Sequence, residues 1–345
     1  MTVTAATTPR ERMLLAKDAA RVVALLDDRR KRALLHAMAD AIDDATPVIV
    51  SANAEDLERG RGDGLSEALQ DRLRLDADRV SALANAVRDV AALPDPVGRV
   101  LDERTLANGL RLQKVSVPFG VVGSIYEARP NVTVDIASLA LRAGNAVVLR
   151  GGSAAERTNA TLVSAMRLAL AEQGVDPEAI QTVDDFGRDG ARELMRARGI
   201  VDVLVPRGSA ALIETVVTES TVPVIETGAG VVHIMLDASA PLEWARDIVV
   251  NAKVQRPSVC NSVETVLVHR AAAPRLVGPV VSALQEAGVT VHGDAAVAEL
   301  AGGVLAATDA DWSVEHLSLD LSMRVVDDLD AALAHIRRYS THHTE

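Results

Sequence analysis

A chain of 345 residues, 48% hydrophobic and 24% charged, is too long for one small domain and long enough for two α/β domains, each with its own core. A formal charge of −12 and an aromatic content of 2% argue against a nucleic-acid binder, which needs a basic face for phosphate and rings on which bases stack. No stretch reaches the roughly 18 to 20 continuous apolar residues of a membrane span, the opening MTVTAATTPRERM lacks the charged-then-apolar order of a signal peptide, and a single cysteine excludes an internal disulfide or a cysteine-rich zinc site. A cytoplasmic protein with no metal, membrane or nucleic-acid partner is expected.

The first ninety or so residues read as helices. RERMLLAKDAARVVALL, KRALLHAMADAIDDA and LSEALQDRLRLDADRVSALANAVRDVAAL each return an apolar residue every three or four positions. The string RGRGDG at 59–64 reads as a loop, and Pro94 and Pro96 close the helical region. Next, Asn108-Gly109 sits between two mixed runs, the strongest short signal for a β-hairpin, here over 99–117. A two-stranded ribbon is marginal by itself, so this one should pack outside its own unit, on another subunit.

From Phe119 the texture changes. GVVGSIY, a helix over 131–143, AVVLR, a helix near 155–172, IQTV, another helix, VDVLVP, a helix from Ser209 and VPVIE alternate strand with helix. That alternation predicts a doubly wound parallel sheet with ligands at the carboxyl ends of its strands. A second α/β block starts at VVHIMLD and runs through a helix holding Trp244 and Lys253, then Cys260, the strand VETVLVH and a helix ending near Ala287. The expected organisation is a cofactor domain over 1–98 and 118–230, the hairpin over 99–117, and a catalytic domain over 231–345.

Two familiar phosphate motifs are missing. GAGVVH places His233 where a dinucleotide fingerprint needs its last glycine, and no GxxxxGK[ST] occurs. Two strand-to-helix turns can hold an anion instead. In one, Arg150 supplies charge, Gly151 and Gly152 allow close backbone approach and Ser153 caps a helix; in the other, Pro206, Arg207, Gly208 and Ser209 repeat the arrangement. After the first sheet strand, Arg129 and Asn131 flank Pro130, either as a solvated cap or as an anion and carbonyl site.

NAKVQRPSVCNSVETVLV, over 251–268, is the most specific string. An isolated cysteine is by default a small buried hydrophobe, and three readings stay open for Cys260: inert core thiol, redox-sensitive thiol or nucleophile. Lys253 and Arg256 nearby can favour a thiolate, and Asn261 offers donors beside it.

Taken in order, EARPNVTVDIASLALRAGNAVVLRGGS, VLVPRGS, NAKVQRPSVCNS and DWSVEHLSLDLSMRVVDDLDAALAHI resemble the gamma-glutamyl phosphate reductases of the aldehyde dehydrogenase superfamily along essentially the whole chain. The resemblance implies that superfamily's α/β fold and an NADPH-dependent reduction of L-glutamate 5-phosphate to L-glutamate 5-semialdehyde and phosphate, in proline biosynthesis. It makes Cys260 the nucleophile, Asn131 or Asn261 an oxyanion donor, and Arg150, Gly151, Gly152, Ser153, Pro206, Arg207, Gly208 and Ser209 the NADPH contacts. Arg129 and Arg256 become candidates for the substrate's phosphate or α-carboxylate. In aldehyde-oxidising relatives an asparagine stands two residues before the proline of the corresponding loop; here that position is Ala128. Glu226 occupies the place of their water-activating glutamate, but this reduction has no hydrolytic step, so a structural or cofactor-facing role is expected for it. His233 and His269 are expected as core residues.

The resemblance also implies a homo-oligomer joined through the hairpin and a functional association with glutamate 5-kinase. Chains of this family continue past the point matching Glu345, so an incomplete catalytic domain is expected. Two other readings follow: a reductase of another acyl phosphate or acyl thioester, and a truncated, catalytically impaired relative acting as a binding or assembly partner.

Overall fold

The computed structural model describes residues 8–226 and 230–344, which fall into two compact units dividing at residues 226 and 227. The first opens with five helices: α1 (Pro9–Val23), α2 (Asp28–Asp44), α3 (Thr46–Gly62), α4 (Glu67–Leu73) and α5 (Ala77–Ala92). Thr8 and Glu11 cap α1 reciprocally, and Asp27, Ser66 and Asp76 each accept a hydrogen bond from a first-turn N–H of the helix that follows. Leu34, Leu35, Met38 and Ile42 form the buried stripe of α2.

Two readings of this region change. Residues 59–62 of the expected loop are the last turn of α3, a helix whose apolar periodicity is weak and whose docking rests on a buried carboxylate: Asp56, 0% exposed, accepts from Thr158 N at 2.8 Å and Thr158 Oγ1 at 2.7 Å. The long third helical run is two helices, because Asp76 starts a new one as the N-cap of α5.

β1 (Val100–Thr105) and β2 (Arg111–Val115) form the antiparallel hairpin, with Gly109 at φ +86 in its turn. Every residue of both strands is exposed.

The unit's sheet follows with β3 (Val121–Tyr126), α6 (Pro130–Arg142), β4 (Ala146–Arg150), α7 (Glu156–Glu172), β5 (Ile180–Thr182), α8 (Gly187–Met195), β6 (Val203–Arg207) and α9 (Ala210–Glu219). The strand order is β5-β4-β3-β6, all parallel. β3 is buried at every position and β4 at all but Arg150, the continuous burial of strands covered on both faces. VPVIE is not a strand: only an isolated bridge joins Val224 to Leu204, and Pro223 has no N–H to give a ladder.

The second unit comprises β7 (Val232–Leu236), α10 (Leu242–Val254), β8 (Val263–His269), α11 (Ala273–Glu286), β9 (Thr290–Gly293), α12 (Ala295–Leu300), β10 (Leu305–Ala306), β11 (Asp320–Val326) and α13 (Leu329–Tyr339). Its parallel sheet runs β10-β9-β11-β8-β7. Val263, Val266, Val268, Leu276, Val280, Val291, Leu321 and Met323 lie in one core cluster. No helix among the described residues is long and apolar enough to cross a membrane.

Candidate active site

Register brings the two expected turns of the first unit to one edge. Arg150 ends β4 opposite Ile125 and Arg207 ends β6 opposite Tyr126, so the arginines flank the carboxyl end of β3 where the strand order reverses, the place where open α/β sheets bind ligands. A cavity of about 300 Å³ opens there, lined by Ile125, Ala191, Met195, Leu212, Val216, Thr215, Glu219, Arg150, Arg188 and Arg192. The Nε of Arg150 is buried with no hydrogen-bond partner among the described residues.

The turns themselves differ from expectation, because their donors are already engaged by carboxylates. Gly151 N–H is given to Asp184 at 2.6 Å. Ser209 does cap α9, accepting from Leu212 N at 3.3 Å, yet its own N–H and hydroxyl go to Glu127 at 3.2 and 3.0 Å. Ser153 caps nothing: it begins a 3-10 turn, and the N-terminus of α7 is met by Asp56 through Thr158 and Arg157. Partners about a hundred residues away in sequence leave no local signal, whereas a serine after two glycines reads as a cap.

A buried chain of hydrogen bonds fixes the first turn: Tyr126 Oη and Thr133 Oγ1 lie 2.7 Å apart, Thr133 donates to Asn159 at 2.9 Å, and Asn159 donates to Asp184 at 3.3 Å. A Cβ on Gly151 would overlap Asn159 Nδ2 and lie 3.2 Å from Tyr126 Cε2, which explains a glycine whose φ is not positive. Burial pushes the Asp184 carboxyl up to about 6, against the pull of the Gly151 and Asn159 hydrogen bonds and the charge of Arg150.

A folded value above the ordinary aspartate value of 3.8 means that the carboxyl's contribution to stability is complete below the unfolded value and lost as pH rises through about 6. Asp184→Asn, which keeps an acceptor for Gly151, is expected to gain stability over wild type between pH 4.5 and 7.5, by about 1 kcal/mol or a few degrees at the upper end. Melting curves across that range check it; a difference that does not grow with pH refutes it.

The segment after β3 carries Ala128 at φ +43, a buried non-glycine residue in the left-handed region. Strain of this kind gathers at functional loops. Arg129 is the half-buried N-cap residue of α6, and Asn131 in the first turn donates to Asp135 at 3.0 Å, using one of its two amide hydrogens.

In the second unit Cys260 sits half-buried on the turn between α10 and β8. The turn is closed by Val259 N donating to Arg256 O at 3.3 Å, Ser262 N to Val259 O at 3.1 Å and Ser262 Oγ to Ala252 O at 3.2 Å. Asn261 and Arg256 are exposed. Lys253 does not present its charge as the sequence suggested: its ammonium is buried and held by Glu264 at 2.8 Å. His233 is 4% exposed in β7, whereas His269, the last residue of β8, is half-buried rather than a core residue and accepts from Ala271 N at 3.1 Å. Glu226 is exposed, and no group of three or more His, Cys, Asp or Glu among the described residues suits a metal ion.

Residues that sequence reasoning passed over include Arg188 and Arg192 on α8, Glu127, Asp184, and Gly230, whose backbone approaches Cys260 so closely that a Cβ would overlap the cysteine carbonyl. Arg188 and Arg192 were legible as i, i+4 neighbours on one helix face; nothing in the sequence said which face lines the cavity.

Residues 4–307 match the aldehyde dehydrogenase family. Gamma-glutamyl phosphate reductase of Clavibacter michiganensis subsp. michiganensis is 61% identical over 97% of this chain and 78% of its own, and that of Leifsonia xyli subsp. xyli is 57% identical over 99% and 81%. The crystal structure of gamma-glutamyl phosphate reductase from Thermotoga maritima superposes with a TM-score of 0.90 at 38% identity, covering 96% of this chain and 80% of that one. An acetylating aldehyde dehydrogenase from Geobacillus thermoglucosidasius, 16% identical with a TM-score of 0.66, shares the fold. The chain therefore belongs to the aldehyde dehydrogenase family and, within it, to the gamma-glutamyl phosphate reductases.

Proposed function

We propose that this oxidoreductase reduces L-glutamate 5-phosphate to L-glutamate 5-semialdehyde and phosphate with NADPH, through a thioester on Cys260. The observation that carries the reading is the placement of the chain's single cysteine on a backbone-closed turn at the start of β8, in a chain 61% identical to a curated reductase. The Cys260 thiolate attacks the acyl carbon, the acyl–oxygen bond breaks, and phosphate leaves with the electron pair. Phosphate is a good leaving group, so expulsion needs little acid help. NADPH, when bound, supplies the hydride that takes the thioester to the aldehyde level. Collapse of the thiohemiacetal then returns the electron pair to sulfur. The backbone N–H of Cys260, with the amide of Asn131 or Asn261, is the proposed donor set for the oxyanion of both tetrahedral species.

For the cofactor, the cavity beside β3 suits an adenosine ring system on its apolar wall, and the unpartnered Arg150 Nε together with Arg188 and Arg192 suits the 2′-phosphate. Gly151, Gly152, Ser153, Pro206, Arg207, Gly208 and Ser209 remain the proposed edge of that site. Glu127 and Asp184 on its N–H groups favour hydroxyl contacts there over a second phosphate. Arg129 and Arg256 are the proposed partners of the substrate's anionic groups.

The hairpin fits a role in self-association. Leu101, Leu110, Leu112 and Val117 are 57%, 62%, 45% and 76% exposed on a ribbon that buries none of its strand residues. A homo-oligomer through this ribbon, and a functional association with glutamate 5-kinase, belong to the same proposal.

The test is the reverse reaction: purified protein with glutamate semialdehyde, phosphate and NADP⁺, followed by NADPH absorbance. Phosphate-dependent absorbance supports the reading, and its absence overturns it. A phosphate-independent, coenzyme A-dependent signal instead selects an acyl-thioester reductase. Glu226→Gln is expected to keep turnover within about threefold, since Glu226 has no water to activate; near-total loss of turnover refutes that assignment.

A further inference from the structure

The turn that carries Cys260 leaves α10 at Val254 and enters β8 at Val263, and each flank holds a buried ionisable side chain. Lys253, 0% exposed in the last turn of α10, and Glu264, 1% exposed as the second residue of β8, meet at 2.8 Å. Neither is used by the chemistry proposed above. Two fully buried charges are an expensive way to hold a helix to a strand, because apolar side chains of similar size do this as well or better. What an ion pair adds is direction: a charge-assisted hydrogen bond fixes distance and angle where packing tolerates sliding.

Glu264 also reaches a third segment. Its other oxygen accepts the N–H of Leu317 at 3.4 Å, and Leu317 has φ +54, a backbone state that a branched side chain rarely adopts. The carboxylate thus ties the end of α10, the start of β8 and the segment before β11. Asp320 of β11, Glu315 and His316 of the preceding segment, and His292 of β9 stacked on His316 are the charged and titratable groups around the pair. Burial pushes the Glu264 carboxyl up and the Lys253 ammonium down, and the attraction between the two opposes both shifts.

We propose that Lys253 and Glu264 form a buried clasp that positions the Cys260 turn, with Glu264 as its hub. Both act through the turn and touch neither substrate nor cofactor, so they are positioning residues. The proposal rests on Cys260 being the reactive thiol, and its test needs no substrate. Cys260 is the only cysteine, so the rate of alkylation by iodoacetamide reads that one thiol directly.

Three variants separate reach from charge. Glu264→Asp keeps the charge but shortens the side chain; Glu264→Gln keeps the reach but has a single oxygen, which can accept from Lys253 or from the Leu317 N–H and not from both. Lys253→Met with Glu264→Leu replaces the clasp by apolar packing. The expected result is alkylation changed at least fivefold in Glu264→Asp, in Glu264→Gln, which strands the buried ammonium, and in the double variant, the last melting no lower than wild type. In the reductase assay kcat should fall at least tenfold in all three with KM little changed.

Wild-type alkylation and kcat in Glu264→Asp or in the stable double variant overturn the clasp. So do wild-type alkylation and kcat in Glu264→Gln, the variant that decides if the double variant does not fold. Changed alkylation in a protein whose wild type turns nothing over keeps the clasp and sinks the reductase reading.

Discussion

Cys260→Ala is expected to lose at least about 10⁴-fold in turnover while keeping its fold and its affinity for NADPH. Removing a covalent nucleophile typically costs on the order of 10⁴ to 10⁶ in kcat, because no other group opens the two-step path through an acyl intermediate. The fold should survive because Cys260 is only half-buried on a turn whose closing bonds are made by the backbone of 256, 259 and 262 and by Ser262 Oγ. Cys260→Ser is the sharper form of the experiment. A hydroxyl conserves size and hydrogen bonding but is far less nucleophilic than a thiolate, so its turnover should fall close to the alanine level. Initial rates of NADPH formation, melting temperature and NADPH titration by fluorescence give the three readouts. A serine variant within tenfold of wild type removes the thioester from the mechanism.

How far the sequence carried these conclusions depends on the range of the interactions involved. The hairpin was legible because Asn108-Gly109 encodes its own turn, and β3, β4 and β8 because strands buried on both faces show as short, mainly apolar runs rich in Val. α3 was not, since its place against α7 depends on Asp56 meeting Thr158 about a hundred residues on. The same limit shaped the reading of the two proposed cofactor turns. Arg150 and Arg207 were found by local pattern at strand ends, but Asp184 and Glu127, which occupy the N–H groups of those turns, come from other loops. Lys253 shows the opposite error. Proximity in sequence suggested a charge for the thiol, and the fold gives that charge to Glu264. The cysteine itself is an ordinary residue until its neighbours are read together, and the resemblance across QRPSVCNS supplied what periodicity and composition could not.

Gly230→Ala carries the second large prediction, and it isolates backbone approach from backbone conformation. Gly230 is not among the glycines with positive φ, so alanine is free of strain on its own account. The obstacle is steric: a Cβ there would overlap the carbonyl oxygen of Cys260 and stand 2.7 Å from its carbonyl carbon and 3.2 Å from its Cα. All three atoms are backbone, so no side chain can swing aside. Either the entry to β7 retreats or the nucleophile turn moves, and displacing a reacting group by about 1 Å costs on the order of 10²-fold. The expected outcome is a fall of about 100-fold in kcat/KM, a change in the iodoacetamide reactivity of Cys260, and unaltered NADPH affinity, because the proposed cofactor cavity belongs wholly to the first unit. Pairing the variant with Gly151→Ala gives the reciprocal case. That Cβ would meet Asn159 and Tyr126 in the first unit, so NADPH affinity should fall while Cys260 alkylation stays at the wild-type rate. If Gly230→Ala keeps both its kcat/KM and its alkylation rate, the close approach of this glycine does not govern the nucleophile's geometry.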